Sequence, residues 1–210
     1  MAPTAPLTPE NVSYIRFLQA SPDAPPVDVY INGSRVAENL DYQSFTGYLR
    51  AYPGLYRVEL FPAGSRTEPL YAAQINLQSL LIYTAAYIGC CGQTDMLLVP
   101  DSPASRRNPA GTALRFVNLI PQSPPLDVYL DGYLVVNRIV FEEISKYLPL
   151  ATGRYTLDVR NSETGRTLIS HPAMDLRAGN LYTGYFTGLA DGTPAPQVLL
   201  PLEGASYLTF

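Results

Sequence analysis

Val27-Asp28-Val29-Tyr30-Ile31-Asn32-Gly33 is the stretch that decides the fold. Apolar Val27, Val29 and Ile31 alternate with Asp28 and Tyr30, a period of two that lays one face of a strand on a core. Asn32-Gly33 follows, and the chain resumes with Arg35-Val36. Asn-Gly between two such runs is the strongest short hairpin signal, because both central residues of a type I′ turn need positive φ. The same text recurs 99 positions on, from 28 to 127: Asp127-Val128-Tyr129 leads to Asp131-Gly132, the other residue pair this turn favours.

Working outward, the 99-residue offset holds over most of the chain. It carries Arg16-Phe17 onto Arg115-Phe116, Pro25-Pro26 onto Pro124-Pro125 and Tyr48-Leu49 onto Tyr147-Leu148. Further on, it carries Gly54 onto Gly153, Tyr83-Thr84 onto Tyr182-Thr183 and Gly89 onto Gly188. Register kept over such a distance marks a tandem duplication, with both copies sharing one fold. Further strands are expected at Tyr14–Gln19, Phe45–Leu49, Leu55–Phe61, Leu70–Leu77, Leu80–Gly89 and Met96–Val99. About seven short strands in about 90 residues is the count of an immunoglobulin-like sandwich. Only Glu142–Tyr147 offers a helical turn or two. The expected chain is therefore all-β: an extended N-terminal arm over 1–12, a β-sandwich over 13–100, a linker over 101–111 and a second sandwich over 112–210. Prolines at 3, 6 and 9 exclude a regular helix from the arm, and turn formers fill the linker. The closing Leu202-Glu-Gly-Ala-Ser-Tyr-Leu-Thr-Phe210 reads as an added C-terminal strand.

The run Leu18-Gln-Ala-Ser-Pro-Asp-Ala-Pro-Pro-Val-Asp-Val-Tyr-Ile-Asn-Gly33 resembles the bacterial domain of unknown function 4397. Units of that family open with a strand, a Ser-Pro-Asp-Ala-Pro turn, and a Val-Asp-Val-Tyr strand ending in a glycine hairpin. An aromatic-rich strand leads later to Pro-Gly-Tyr, here Tyr48-Leu49 through Pro53-Gly54-Leu55-Tyr56. The resemblance spans nearly the whole chain as two copies. In the second, Ile120-Pro-Gln-Ser-Pro124 replaces the acidic turn, so whatever that turn does occurs once. The resemblance implies surface-exposed or secreted bacterial proteins built as tandem arrays, and it brings no catalytic residues with it.

Composition narrows the function. Charged residues make up 15% of the 210, and 14 basic residues face 18 acidic ones, clustering no further than Arg106-Arg107. That balance does not support a nucleic-acid partner. The longest apolar stretch, Leu80 to Cys91, is short of a membrane span and broken by Tyr83, Thr84 and Tyr87, so no membrane insertion is expected. The N-terminus has neither the basic nor the apolar segment of a secretory signal. The expected location is extracellular or on a cell or spore surface, reached without a signal peptide in this chain. One histidine, His171, and no nucleophile elbow leave a Ser-His-Asp triad without support. No enzyme, cofactor or resident metal is expected, although Asp23, Asp28 and Asp101 are oxygen donors of the kind calcium takes.

The site residues follow from what both copies share. Arg16 with Asp28, and Arg115 with Asp127, are expected to staple neighbouring strands as cross-strand ion pairs. Asn32-Gly33 and Asp131-Gly132 form the hairpin turns. Cys90-Cys91, absent from the second copy, reads either as two free thiols, one buried and one exposed, or as an intermolecular disulfide. Sixteen tyrosines and a single lysine, Lys146, leave sheet edges without the usual lysine guard. The functional expectation is a non-enzymatic surface protein whose partner is itself, polymerising head to tail into a filament or layer by strand addition. The alternative is an adhesion module for carbohydrate or a matrix protein, with tyrosines stacking on sugar rings.

Overall fold

The computed structural model describes residues 12–101 and 110–208. Each copy is a sandwich of two four-stranded sheets. In the first, β1 (Ser13–Gln19), β4 (Leu49–Ala51), β7 (Ile82–Cys90) and β8 (Gln93–Pro100) make one sheet in the order β4-β1-β7-β8. Facing it, β2 (Val27–Ile31), β3 (Ser34–Leu40), β5 (Gly54–Pro62) and β6 (Tyr71–Leu77) are ordered β3-β2-β5-β6. The second copy repeats this with β9 (Thr112–Asn118), β12 (Leu148–Leu150), β15 (Leu181–Thr187) and β16 (Gln197–Leu199) in the order β12-β9-β15-β16. Its other sheet is β11-β10-β13-β14, from β10 (Leu126–Leu130), β11 (Tyr133–Ile139), β13 (Gly153–Asn161) and β14 (Thr167–Leu176). In each copy the first strand runs parallel to the seventh, β1 beside β7 and β9 beside β15. The chain is thus all-β, two tandem immunoglobulin-like sandwiches.

Side-chain alternation explains how the layers stack. Ile15 and Phe17 of β1 point into their own sandwich core with Tyr83, Ala85 and Tyr87 of β7. The intervening Leu18, Ala86 and Ile88 point the other way, into a core shared with Val117, Leu119 and Tyr185 of the second copy. Every residue of β7 and β15 is buried. A strand buried on both faces belongs to a sheet covered on both sides. The two inner sheets therefore face each other, and the chain forms four layers with three cores, which continuous apolar runs such as Leu80–Cys91 now explain.

The turns carry the expected backbone. Asn32 and Gly33 have φ of 48° and 80°, and Asp131 and Gly132 of 48° and 81°, the two positive angles of a type I′ turn. The turn residues also accept a hydrogen bond from the next strand, Asn32 Oδ1 from Arg57 N at 2.9 Å and Asp131 Oδ1 from Thr156 N at 2.7 Å.

Three sequence expectations change. Glu142–Tyr147 is not helical; Ile144 makes an isolated bridge to Val117 instead. Phe45–Leu49 is no continuous strand, because Phe45 bridges Leu18 alone and β4 begins at Leu49. The tail Leu202–Phe210 is not an added edge strand. Leu202 bridges Tyr182, Gly204–Ser206 form one buried 3₁₀ turn, and 209–210 lie outside the described residues. Gly204 admits no side chain, since a Cβ there would sit 2.8 Å from Ile82 and 2.9 Å from Tyr48, both of the first copy. The tail is a wedge in the junction rather than a donor strand. Most of the N-terminal arm and of the linker also lies outside the described residues, but their described ends, Val12 and Asp101, are buried.

Candidate functional site

The shared core between the copies contains a buried polar cluster built twice from the same parts. Arg16 and Arg115 sit at equivalent positions of β1 and β9, and each is only 5% exposed. Arg16 Nε donates to Thr84 Oγ1 at 2.9 Å, as Arg115 Nε does to Thr183 Oγ1 at 2.9 Å. The Arg16 guanidinium lies 4.6 Å over Phe45 and 4.7 Å over Tyr48, and that of Arg115 lies 4.6 Å over Tyr147. Such stacking over a ring face is favourable for a desolvated cation.

Each half ends in an acid that replaces solvent for its tyrosine. Tyr48 Oη donates to Asp101 Oδ2 at 3.1 Å, and Tyr147 Oη to Glu203 Oε1 at 2.7 Å. Asp101 N donates to Ile82 O and Glu203 N to Leu181 O, equivalent carbonyls, so the two acids are structural counterparts. The copies interlock here: Gly204 N donates to Asp101 Oδ2 at 2.7 Å, and Arg16 Nη1 reaches Leu202 O at 3.2 Å. Glu203 also forms an ion pair with Arg115 at 3.3 Å. Burial, reinforced by the negative charge of Glu203, raises the Asp101 carboxyl to about 6 against the pull of Arg16, Arg115 and the Gly204 N–H. Burial likewise pushes the Tyr48, Tyr147 and Tyr185 hydroxyls up. Chemically, each half pairs its own cation, hydroxyls and acid, and the Leu202 carbonyl and Gly204 N–H of the second copy tie the first half across the junction.

A pH signature follows. Asp101 binds its proton more tightly in the folded chain than its ordinary value of 3.8 allows in the unfolded one. Its contribution therefore favours folding at pH below that value and is lost as pH rises through about 6. Asp101→Asn keeps an acceptor for Tyr48 and Gly204 without the charge. Its melting temperature, followed from pH 4 to 8 beside the parent's, should gain on the parent as pH rises. A parallel pair of curves would refute the assignment.

The sequence paired Arg16 with Asp28 and Arg115 with Asp127, and the structure corrects this. β1 and β2 belong to different sheets, so the residues are separated by a core rather than facing across a ladder. Asp28 is 1% exposed and accepts from Asn39 N at 2.8 Å, Gly64 N at 3.2 Å and Arg35 Nη1 at 3.4 Å. Burial works to raise its carboxyl, but these bonds prevail and hold it below the usual value. Asp127 Oδ1 accepts from Arg138 N at 2.8 Å, the equivalent contact. Asn39 and Arg138 both have positive φ, 50° and 54°, where β2–β3 and β10–β11 slip register. The aspartate of each Val-Asp-Val-Tyr motif thus secures a bulge. Asp23, Asp28 and Asp101 do not converge as a calcium site would require. Asp23 accepts from Cys91 N at 2.6 Å, Asp28 serves the outer sheet and Asp101 the junction.

Cys90 is buried and Cys91 exposed, both with free thiols. Burial, with the neighbouring Cys91 thiol adding to it, pushes Cys90 up to about 11. Cys91 and Gly92 are the positive-φ turn of the β7–β8 hairpin, at 57° and 77°. His171 lies in β14, partly buried, opposite Leu157. The neighbouring Ser170 hydroxyl donates to Asp158 rather than to the imidazole. Sequence reasoning missed Thr84, Thr183, Tyr48 and Tyr147 as site residues, although the repeat alignment had matched both pairs. It also missed Glu203, whose three-residue shift from the 99 offset concealed its equivalence to Asp101.

The tandem sandwich and its doubly written cluster define a class, a duplicated β-domain fused through its inner sheets. The DUF4397 profile, a domain of unknown function, matches residues 13–126 and again 112–205, and the chain belongs to that family. No curated protein sequence matches it. Among solved structures it is similar to the Bacillus anthracis TIE protein, at 12% identity and TM-score 0.26 over 90% of this chain and 34% of that one. A leucine-rich repeat protein from Bacteroides thetaiotaomicron matches at 13% identity and TM-score 0.22, over 82% of this chain and 26% of its own. A family CBM26 module from Eubacterium rectale, solved with maltoheptaose, matches at 10% identity and TM-score 0.27, over 91% and 95%. The chain spans about a third of the first structure and a quarter of the second. Among the described residues, no helix is long and apolar enough to cross a membrane.

Proposed function

We propose that this chain is a non-enzymatic structural domain of the bacterial surface that associates with further copies of itself, edge to edge. The observation that carries this reading is β6. Of the edge strands longer than three residues, β3, β8, β11 and β14 each contain a charge, and β8 and β14 also a proline. β3, β11 and β14 are further interrupted by register shifts. β6, Tyr-Ala-Ala-Gln-Ile-Asn-Leu, has no charge and no proline, and it pairs with β5 through seven consecutive partners. A regular uncharged edge presents unpaired N–H and C=O groups to a second strand of the same kind. Two β6 edges meeting antiparallel would make one eight-stranded sheet about a two-fold axis.

The junction revises the sequence expectation of how copies join. The uncharged surface that predicted stickiness is largely used up inside the chain, between the inner sheets. The tail is occupied there as well. Extension beyond a dimer therefore falls to the exposed Cys91: two such thiols from different copies, oxidised by dioxygen or a disulfide oxidant that takes up their two electrons and two protons, form a disulfide that supplies a second, independent contact. Two different two-fold contacts on one chain generate an open row. The test is light scattering and electron microscopy of the whole chain. Ala72→Lys with Gln74→Lys, both at exposed positions of β6, should turn dimers into monomers under reducing conditions. Cys91→Ser should limit oxidised material to dimers. A parent chain that stays monomeric at high concentration, reduced or oxidised, rejects the proposal.

A further inference from the structure

We infer that the open side of the domain junction is a binding site for a short uncharged saccharide. The two copies meet through equivalent inner sheets, and at one set of equivalent positions in this junction the side chains have diverged. On the first side, Gln43 Nε2 donates to Thr187 Oγ1 at 3.0 Å. Burial pushes the neighbouring Tyr42 hydroxyl up, and Thr187, Gln43 and Gly188 only temper the rise. On the other side the counterparts are Phe141, Glu142 and Ile88, at the 99-residue offset. Tyrosine has lost its hydroxyl, glutamine has become an acid, and threonine has become an isoleucine with nothing to donate or accept. No hydrogen bond of the first kind can form there.

In its place is a cleft of about 470 Å³ between the β7–β8 hairpin of one copy and the loops after β9 and β11 of the other. That volume is within the range of about 300–1,000 Å³ typical of small-molecule sites, and domain junctions are a preferred place for them. Its lining has a consistent chemistry. Phe141 supplies an apolar ring, Gln93 and Gln122 supply amides that donate and accept, and Glu142 and Asp95 supply acceptors from opposite lips, Asp95 through Oδ2 because its Oδ1 accepts from Tyr71 Oη and Met96 N. Among the described residues, no lysine or arginine lines it. An aromatic face for C–H groups, amides and carboxylates for neighbouring hydroxyls, and no cation to hold an anion describe a site for a neutral polyhydroxylated ring. Gln122 and Glu142 hold positive φ, 55° and 68°, which fixes the direction of both polar side chains' attachment to the rim. Gln43 on the closed side shares this backbone, φ 63°, whereas Asp23, the counterpart of Gln122, does not, and the short β7–β8 turn is matched there by the longer connection from β15 to β16.

The test uses the whole chain carrying Ala72→Lys, Gln74→Lys and Cys91→Ser, so that association and saccharide binding are read separately. Calorimetric titration with short neutral glucan, mannan, xylan and chitin oligosaccharides is expected to find binding to at least one. Glucuronate oligosaccharides, the anionic control, are expected to bind at least tenfold more weakly. Gln122→Ala should weaken binding at least tenfold, whereas Gln43→Ala on the closed side should not alter it. The triple change Ile88→Thr, Phe141→Tyr, Glu142→Gln writes the closed side's residues into the open one. It should abolish binding while keeping or raising the melting temperature, and if it fails to fold, Gln122→Ala still decides. No binding of any neutral oligosaccharide at millimolar concentration, or binding indifferent to Gln122→Ala, overturns the inference.

Discussion

Glu203→Ala is expected to destabilise the whole chain by about 3–5 kcal/mol, the usual cost of removing one partner of a buried ion pair. Arg115 is 5% exposed and Glu203 fully buried, so the stranded guanidinium has no solvent to turn to. Tyr147 loses its carboxylate acceptor and Thr183 the acceptor of its hydroxyl in the same stroke. The penalty comes from what is left behind and not from the strength of the pair itself. Two comparisons separate these. Glu203→Gln retains an acceptor for Tyr147 and Thr183 and should cost less. Arg115→Met combined with Glu203→Leu removes both charges and should recover much of the loss, as matched apolar replacements of buried pairs commonly do. Urea unfolding of the four proteins reads this directly. A Glu203→Ala chain within about 1 kcal/mol of the parent, the range of an exposed ion pair, would show that the junction is solvated and the cluster unimportant.

The fold was legible because its signals are local or repeated. Alternation at Val27–Ile31, the positive-φ turns and the 99-residue offset each report on a few neighbouring residues or on a copy of them. What could not be read was which sheet each strand joins. β1 and β2 are adjacent in sequence and alternate in the same way, yet β1 pairs with β4 and β7 and crosses to the opposite layer. The expected Arg16–Asp28 bond failed on that one fact. Fusion of the inner sheets was written in plain sight, in β7 and β15, whose residues are apolar or small at both parities. A fully buried strand has no period to distinguish it from a sticky exposed one, so the same text was compatible with association between molecules.

The polar cluster shows the complementary limit. Arg16, Tyr48 and Thr84 recur at their equivalents in the second copy, which identified positions under a shared constraint without saying what they touch. Asp101 and Glu203 differ in side-chain length, lie beyond the last strands, and sit three residues out of register. Only their backbone bonds to Ile82 and Leu181 reveal them as one position. The divergence at Tyr42-Gln43 and Phe141-Glu142 had the opposite problem. Its residues align at the 99-residue offset, but their meaning depends on Thr187 and Ile88, which face them from the other copy.

Residues 1–101 expressed alone should not give a stable monomer. The separated copy would expose Leu18, Ile88 and Val99, each at most 1% exposed in the whole chain. At about 1.5–3 kcal/mol for each large aliphatic side chain, burial of these three is worth about 5–9 kcal/mol. A single domain has only about 5–15 kcal/mol in all. Arg16 would keep Thr84 but lose Leu202, and Asp101 would lose the Gly204 N–H. The exposed surface is nevertheless self-matched in kind, because it meets its own duplicate in the intact molecule. Two outcomes follow, a homodimer through the inner sheet or aggregation, and adding residues 110–210 should convert either into a one-to-one complex. Light scattering with urea unfolding distinguishes these from the contrary case. A monomeric half that unfolds cooperatively, with stability near that of the whole chain, would mean that the inner sheets touch without contributing, and that the duplicated domains are two proteins on one chain.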